Sequence, residues 1–189
     1  GESDRRALQD DLIRSELRGD SARYDQEIAF LDACIGELID ALKAREMYEE
    51  SLIVVTSDHG EAFGENGVVG HGQNLYETLV HVPLIVRYPG GRRRAIEERP
   101  ASLTILPNLV LDAIGVDRTL PALDADQSSP RSILTEIILD DNSTLHAAYN
   151  ALAIKTILSS NGSAEVYDLP HDPHELTDLY KERPDTVHV

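Results

Sequence analysis

Residues 51–71 read SLIVVTSDHGEAFGENGVVGH. A run of β-branched residues stops at Asp58-His59, and a glycine-spaced acidic segment then leads to a second histidine, His71. The continuous apolarity before Ser57 suits a strand buried on both faces, as in a parallel sheet. In open α/β sheets, ligands gather at the carboxyl ends of strands, where the turns present side chains and backbone groups. Neighbours on a regular strand point to opposite faces, so Asp58 and His59 can serve one site only where the chain bends, and Gly60 permits the bend. A carboxylate oxygen with an imidazole nitrogen is an ordinary ligand pair for a divalent cation. The glycines at 64, 67 and 70 let the following loop approach a ligand, and Gly70-His71-Gly72 delivers a further imidazole. The same residues also fit a plainer reading, in which Asp58 caps a turn at the strand end and His59 is a half-buried hydrogen-bonding residue. Glu61 and Glu65 are further donors, or members of a solvated acidic loop.

Upstream of this stretch, Ile28, Leu31, Ile35, Leu38, Ile39 and Leu42 recur at steps of three and four, which predicts an amphipathic helix packed on a core. Residues 3–18 also read as helical, with Leu8, Leu12, Ile13 and Leu17 as a thin apolar stripe. A helix, a short charged connector and a buried strand make half of a βαβ unit. The strand that should precede the helix is not in the chain, so the chain is expected to begin inside a larger domain. Downstream, 81–91 (HVPLIVRYPGG) reads as a strand closed by a Pro-Gly-Gly turn, and 103–116 as a helix with Pro107 in its first turn. The stretch 118–130 is turn-rich; 131–139 and 149–160 read as strands, and 161–169 as a hairpin turn into a third. The tail mixes proline-punctuated turns with a short helix. The expectation is one compact body, with residues 1–116 in an α/β catalytic domain and 117–189 as a loop and small strand-rich segment packed on it.

The net charge of −17 argues against a nucleic-acid partner, because phosphate binding needs a basic surface. The one basic cluster, at 90–95 with Arg99 following, reads as a solvated loop. Cys34 is the single cysteine, which excludes an intrachain disulfide or a zinc–cysteine framework; its setting among small apolar residues suggests a buried, inert thiol. No apolar stretch approaches the roughly 20 residues that span a bilayer. The compartment is left open.

Taken over a longer span, VVTSDHGEAFGENGVVGHGQNLYETLVHVPLIVRYPG (54–90) resembles the sulfatase family of the alkaline phosphatase superfamily. In that family a strand ends in Ser/Thr-Asp-His/Asn-Gly-Glu, a glycine-rich loop carries a His, and Tyr-Glu precedes a Val-Pro-Leu-Ile strand. RYDQEIAFLDACIGELIDAL (23–42) resembles the family's helix before the ligand strand, and SLTILPNLVLDAIGV (102–116) the helix after the Val-Pro-Leu-Ile strand. AIKTILSSNGSAEVYDLPHDPHELTDL (153–179) is similar to its closing strand pair and Tyr-Asp-Leu…Asp-Pro-x-Glu…Asn-Leu motif, with Asp178 where the family usually has Asn.

The resemblance implies an α/β fold: part of an alkaline-phosphatase-like sandwich, with helices packed on a mainly parallel sheet and a small C-terminal antiparallel strand segment. It implies hydrolysis of sulfate esters with a divalent metal ion, calcium, manganese, magnesium or zinc. Asp58 and His59 match the two metal ligands, and a His at the second position is more typical of phosphate and phosphonate ester hydrolases and choline-sulfatase-like relatives. His71 matches the loop histidine beside the substrate anion or leaving group, as an anion binder or general acid. Relatives often place a Lys a few residues after it; GQNLYE (72–77) has none. Glu61 is expected to orient the ligand loop, Tyr76, Glu77 and His81 to serve packing, and His171 and His174 to sit outside the chemistry, with His146 the weakest functional candidate. The family's nucleophile lies in Cys/Ser-x-Pro-x-Arg and becomes formylglycine. Cys34-Ile-Gly-Glu-Leu is not that motif, so the nucleophile and the first acidic ligand cluster are expected in an N-terminal half absent from this chain. The substrate is then a small-molecule or glycan sulfate ester. Alternatives are a phosphate or phosphonate ester hydrolase of the same superfamily, and a non-catalytic binding or assembly module that keeps the fold.

Overall fold

The computed structural model describes residues 2–91, 96, 100–116, 133–150 and 152–182, with 2–15 as backbone only. In chain order the elements are α1 (Glu2–Ala44), β1 (Ile53–Thr56), β2 (Ala62–Phe63), β3 (Val69–Gly70), α2 (Glu77–Val80), β4 (Leu84–Arg87), α3 (Leu106–Ala113), β5 (Ile133–Ile138), β6 (Thr144–Tyr149), β7 (Ile154–Ser159), β8 (Ala164–Asp168) and α4 (Leu179–Glu182). The arginines of the basic cluster, the stretch 118–130 and the end of the tail lie outside the described residues. The chain divides into two compact units, one of residues 1–51 with 61–70 and one of 52–60 with 71–189.

In the first unit, the two expected helical stretches form one continuous helix of 43 residues. It closes where Glu46 takes a left-handed conformation (φ 58°) and the Met47 N–H donates to the Leu42 carbonyl at 2.9 Å. The β2–β3 hairpin pairs Ala62 with Gly70 and Phe63 with Val69. It packs on α1 through an edge-to-face contact of Phe63 with Tyr24, centroids 5.3 Å apart, and Ala62 is buried. The helix departs from its expected amphipathic burial: Ile28, Leu31 and Leu38 are all more than half exposed. Cys34 is likewise exposed rather than buried. Heptad-like spacing sets which residues share a face; burial needs a second layer, and in the first unit the small β2–β3 hairpin packs on α1.

In the second unit, β1 pairs antiparallel with β4, from Ile53↔Arg87 to Thr56↔Leu84. Every described strand pairing is antiparallel. The two-sided burial expected of β1 is not reached: Ile53 to Val55 are half-buried, and Ile85 of β4 is 63% exposed. Before α3, Ser102 accepts the Thr104 N–H, and Pro107 sits in the first turn, where its missing N–H leaves no bond unmade.

The C-terminal segment is a four-stranded antiparallel meander in the order β5-β6-β7-β8. β6 was not foreseen; its Ala147-Ala148 pair blurs the apolar–polar alternation that marks a strand. The span read as one strand, 149–160, is broken by a turn in which Asn150 Oδ1 accepts the N–H groups of Leu152 and Ile154. One face of this sheet carries the core of the unit: Leu75, Ala147, Ile157 and Tyr167, with Tyr76, Val80, Ile137, Leu145 and Leu169 packed around them. After β8, Asp178 Oδ1 accepts the N–H groups of Val166 (3.1 Å) and Tyr180 (3.0 Å). Both contacts need only an acceptor, which explains why a carboxylate stands where the related motif carries an amide.

Candidate metal and anion site

β1 ends at Thr56 and the chain turns at once. The Ser57 hydroxyl donates to the His59 carbonyl at 2.7 Å, and Asp58 Oδ1 accepts the His59 N–H at 3.0 Å. These are the local bonds of a turn, as the plainer reading expected. Backbone N–H groups hold the Asp58 carboxyl below its ordinary range, its own contributing most and that of His59 next, with the nearby His59 ring adding to them.

Gly60 completes the bend. A Cβ there would lie 2.0 Å from the Thr78 carbonyl oxygen, a distance no side chain tolerates. Its N–H donates to the Leu79 carbonyl at 2.8 Å, so the turn after β1 is tied to α2 at the closest possible approach.

His59 Nδ1 lies 2.8 Å from the Gly60 carbonyl oxygen. A carbonyl only accepts, so Nδ1 carries the proton and the neutral ring keeps its lone pair on Nε2. Nε2 stands 4.0 Å from Asp58 Oδ2. The Asp58 carboxylate is 89% exposed and the His59 side chain 45%, leaving both donors open to solution. This donor set fits a borderline divalent cation. Among the described residues no cluster of three or more His, Cys, Asp or Glu has metal-holding geometry.

His71 completes the constellation. Its ring stacks on that of His59 with centroids 4.3 Å apart and planes at 28°; Gly70 and Gly72 on either side both have φ of 82°, a backbone conformation that favours glycine. Asp58, His59 and His71 are therefore brought together. Glu61 falls in the other unit, half-buried beside Gly70, where its Oε1 is 3.6 Å from the position a Cβ would take. Three other described histidines pair elsewhere: His146 with Glu136 (3.0 Å), His171 with Asp168 (2.9 Å) and His81 with Glu77 (3.5 Å).

Sequence reasoning missed Lys155. Its side chain is fully buried, 2.9 Å from Glu77 Oε1 and 2.7 Å from Glu175 Oε1. The signal was a lysine in AIKTIL two residues from Ile157, on the inward face of a strand where a charge demands partners.

The family profile described as Sulfatase matches residues 4–116, and the chain belongs to the sulfatase family. Among curated relatives it is 29% identical over 161 residues to the uncharacterized sulfatase YidJ of Escherichia coli, covering 79% of this chain and 32% of that protein. It is 28% identical over 178 residues to the choline-sulfatase of Rhizobium meliloti, covering 89% and 35%. The chain thus spans about a third of the length of these relatives. Among solved structures, the sulfatase yidJ of Bacteroides fragilis superposes with a TM-score of 0.69 at 18% identity, over 84% of this chain and 37% of that one. The phosphonate monoester hydrolase of Agrobacterium radiobacter superposes with a TM-score of 0.60 at 22% identity, over 83% and 36%. The fold is the alkaline-phosphatase-like α/β class with a C-terminal antiparallel strand group.

Proposed function

We propose that this chain supplies the metal-binding side of a sulfuric ester hydrolase active site. Asp58 and His59 are the cation ligands, His71 faces the ester's anion or leaving group, and Glu61 steadies the loop after the ligands. The observation that carries the reading is the free Nε2 of His59 at 4.0 Å from Asp58 Oδ2, with His71 stacked on the same ring. Asp58 meets a cation as an anion, because its turn hydrogen bonds favour the ionised form. His59 is held in one tautomer by the Gly60 carbonyl, so its orientation is set before any ligand arrives. His71, exposed to solvent, binds the sulfate anion when protonated or gives its proton to the departing alkoxide. A bound divalent cation (calcium, manganese, magnesium or zinc) supplies Lewis-acid stabilisation of charge on the transferring group.

A formylglycine-type nucleophile is the other half of the proposal. Cys34 has Gly36 and Leu38 where the motif needs Pro and Arg, so the nucleophile belongs to the part of the relatives that this chain does not match. Residues 1–116 then form the C-terminal part of the catalytic domain and 117–189 its strand-rich extension. The substrate class is a small-molecule or glycan sulfate ester, as the family and the choline-sulfatase relative suggest.

Titration of the 189-residue chain with Mn²⁺, followed by paramagnetic broadening of histidine NMR resonances, is expected to affect His59 and His71 first. Asp58→Asn should weaken the effect at least about tenfold. The chain alone should not turn over an aryl sulfate; robust turnover would overturn the division of the site, and an unperturbed His59 would overturn the ligand assignment. A second reading, a phosphate or phosphonate ester hydrolase, is favoured by the histidine at 59 and by the phosphonate hydrolase neighbour. Relative kcat/KM on matched aryl sulfate and aryl phosphonate, measured on a protein with the complete site, separates the two.

A further inference from the structure

The second unit carries a buried charged cluster far from the strand end in sequence. Lys155 Nζ contacts Glu77 Oε1 (2.9 Å) and Glu175 Oε1 (2.7 Å), with Lys155 at 0% and Glu175 at 1% side-chain exposure. The Tyr149 hydroxyl donates to Glu77 Oε1 at 2.6 Å, and the Glu77 backbone N–H donates to Glu175 Oε2 at 2.6 Å. Lys155 Nζ also lies 5.3 Å from the centre of the Tyr149 ring. The cluster therefore grips both the side chain and the backbone of the first residue of α2. Two residues further on, the Leu79 carbonyl accepts the Gly60 N–H at 2.8 Å, and the Thr78 carbonyl occupies the space a Gly60 side chain would need. Gly60 in turn fixes the His59 ring through its carbonyl.

We infer that Lys155 is a positioning residue for the Asp58–His59 pair: with Glu77 and Glu175 it clamps α2 in one register, and α2 sets the turn that carries the two donors. The metal arm of this inference rests on the function proposed above; the geometric arm does not.

Why a charged cluster stands here follows from its directionality. An apolar plug of equal volume would serve stability as well or better, since buried ion pairs are weak stabilisers. The oriented hydrogen bonds of Lys155 and Tyr149 to Glu77 Oε1 and of the Glu77 N–H to Glu175 Oε2, with the Lys155–Glu175 ion pair beside them, restrict the arrangement, whereas an apolar contact tolerates sliding. Burial raises the ionisation range of Glu175 while Lys155 opposes it, as expected for two carboxylates sharing one ammonium.

The test compares Lys155→Met and Glu175→Gln with a control, Val166→Ala, which removes buried volume from the same sheet. Glu175→Gln keeps the shape and an acceptor for the Glu77 N–H, so it decides the matter should Lys155→Met fail to fold. Amide hydrogen exchange at Gly60, normalised to the global stability of each variant, should rise at least about tenfold in the clamp variants and stay at the native level in the control. Mn²⁺ affinity of the full chain should fall about tenfold in the clamp variants alone. Gly60 exchange that rises no more than in Val166→Ala overturns the inference. A native chain with no Mn²⁺ response but clamp-dependent Gly60 exchange leaves the clamp standing and removes the ligand reading.

Discussion

At Gly60 a single hydrogen atom in place of a methyl group decides whether the turn after β1 can exist. The Thr78 carbonyl oxygen would sit 2.0 Å from a Cβ, and it belongs to backbone that cannot rotate away. Gly60→Ala is expected to cost about 2–3 kcal/mol through forced backbone displacement, measured by urea unfolding, and to lose the Mn²⁺ response of His59 along with it. His59 shows a different economy of atoms: one ring nitrogen is committed to the Gly60 carbonyl, and that commitment leaves the other able to bind a cation. Asp178 shows a third, where an acceptor shared by Val166 and Tyr180 can come from carboxylate or amide alike.

Among the elements, β6, β7 and β8 do more than their lengths suggest. Their inward face carries Tyr149, Lys155, Ile157, Glu165 and Tyr167, and it mixes apolar packing with carboxylate-bound hydroxyls. Glu165 Oε2 accepts from Tyr167 (2.6 Å) and Tyr76 (2.9 Å). Burial and this carboxylate push the Tyr76 hydroxyl up to about 12. Burial raises Tyr149 and Tyr167 still further, aided by Glu77 and Glu165 respectively. A folded pKa raised above the unfolded value, near 10, means stability that is complete below pH 10 and lost as pH climbs through the folded pKa. Urea unfolding should therefore show stability falling steeply above pH 10, and Tyr76→Phe should reduce the slope between pH 10 and 12. α1 is the contrasting element: its apolar spacing is regular, yet Ile28, Leu31 and Leu38 are all more than half exposed.

For the molecule as a whole, this uneven burial predicts an uneven stability. Amides opposite Ala147 and Ile157, which are 0% and 6% exposed, should be the slowest to exchange, and those of α1 between Tyr24 and Leu38 among the fastest. Native-state hydrogen exchange checks the ranking; slowest exchange in α1 would contradict it. No described helix is long and apolar enough to cross a membrane, and the net charge of −17 makes the approach of an anion electrostatically unfavourable. On the function proposed above, a sulfate site in so acidic a chain would need a local positive field, which His71 and a cation held by Asp58 and His59 would supply.

The sequence alone determined the family, the order of most elements, and the strand end at Asp58-His59-Gly60, because each is written in contiguous residues: β-branched runs, glycine spacing and proline positions. It also located the antiparallel C-terminal segment, missing only β6, where two alanines mask the alternation. The tertiary structure decided which imidazole nitrogen is free, that His59 and His71 stack, that Cys34 and the α1 stripe are exposed, and that Lys155 holds α2. The bonds of the clamp join residues 78 and 98 positions apart. No local pattern encodes such partners, since a buried lysine announces only that it needs carboxylates, and the fold alone determines which ones come within reach.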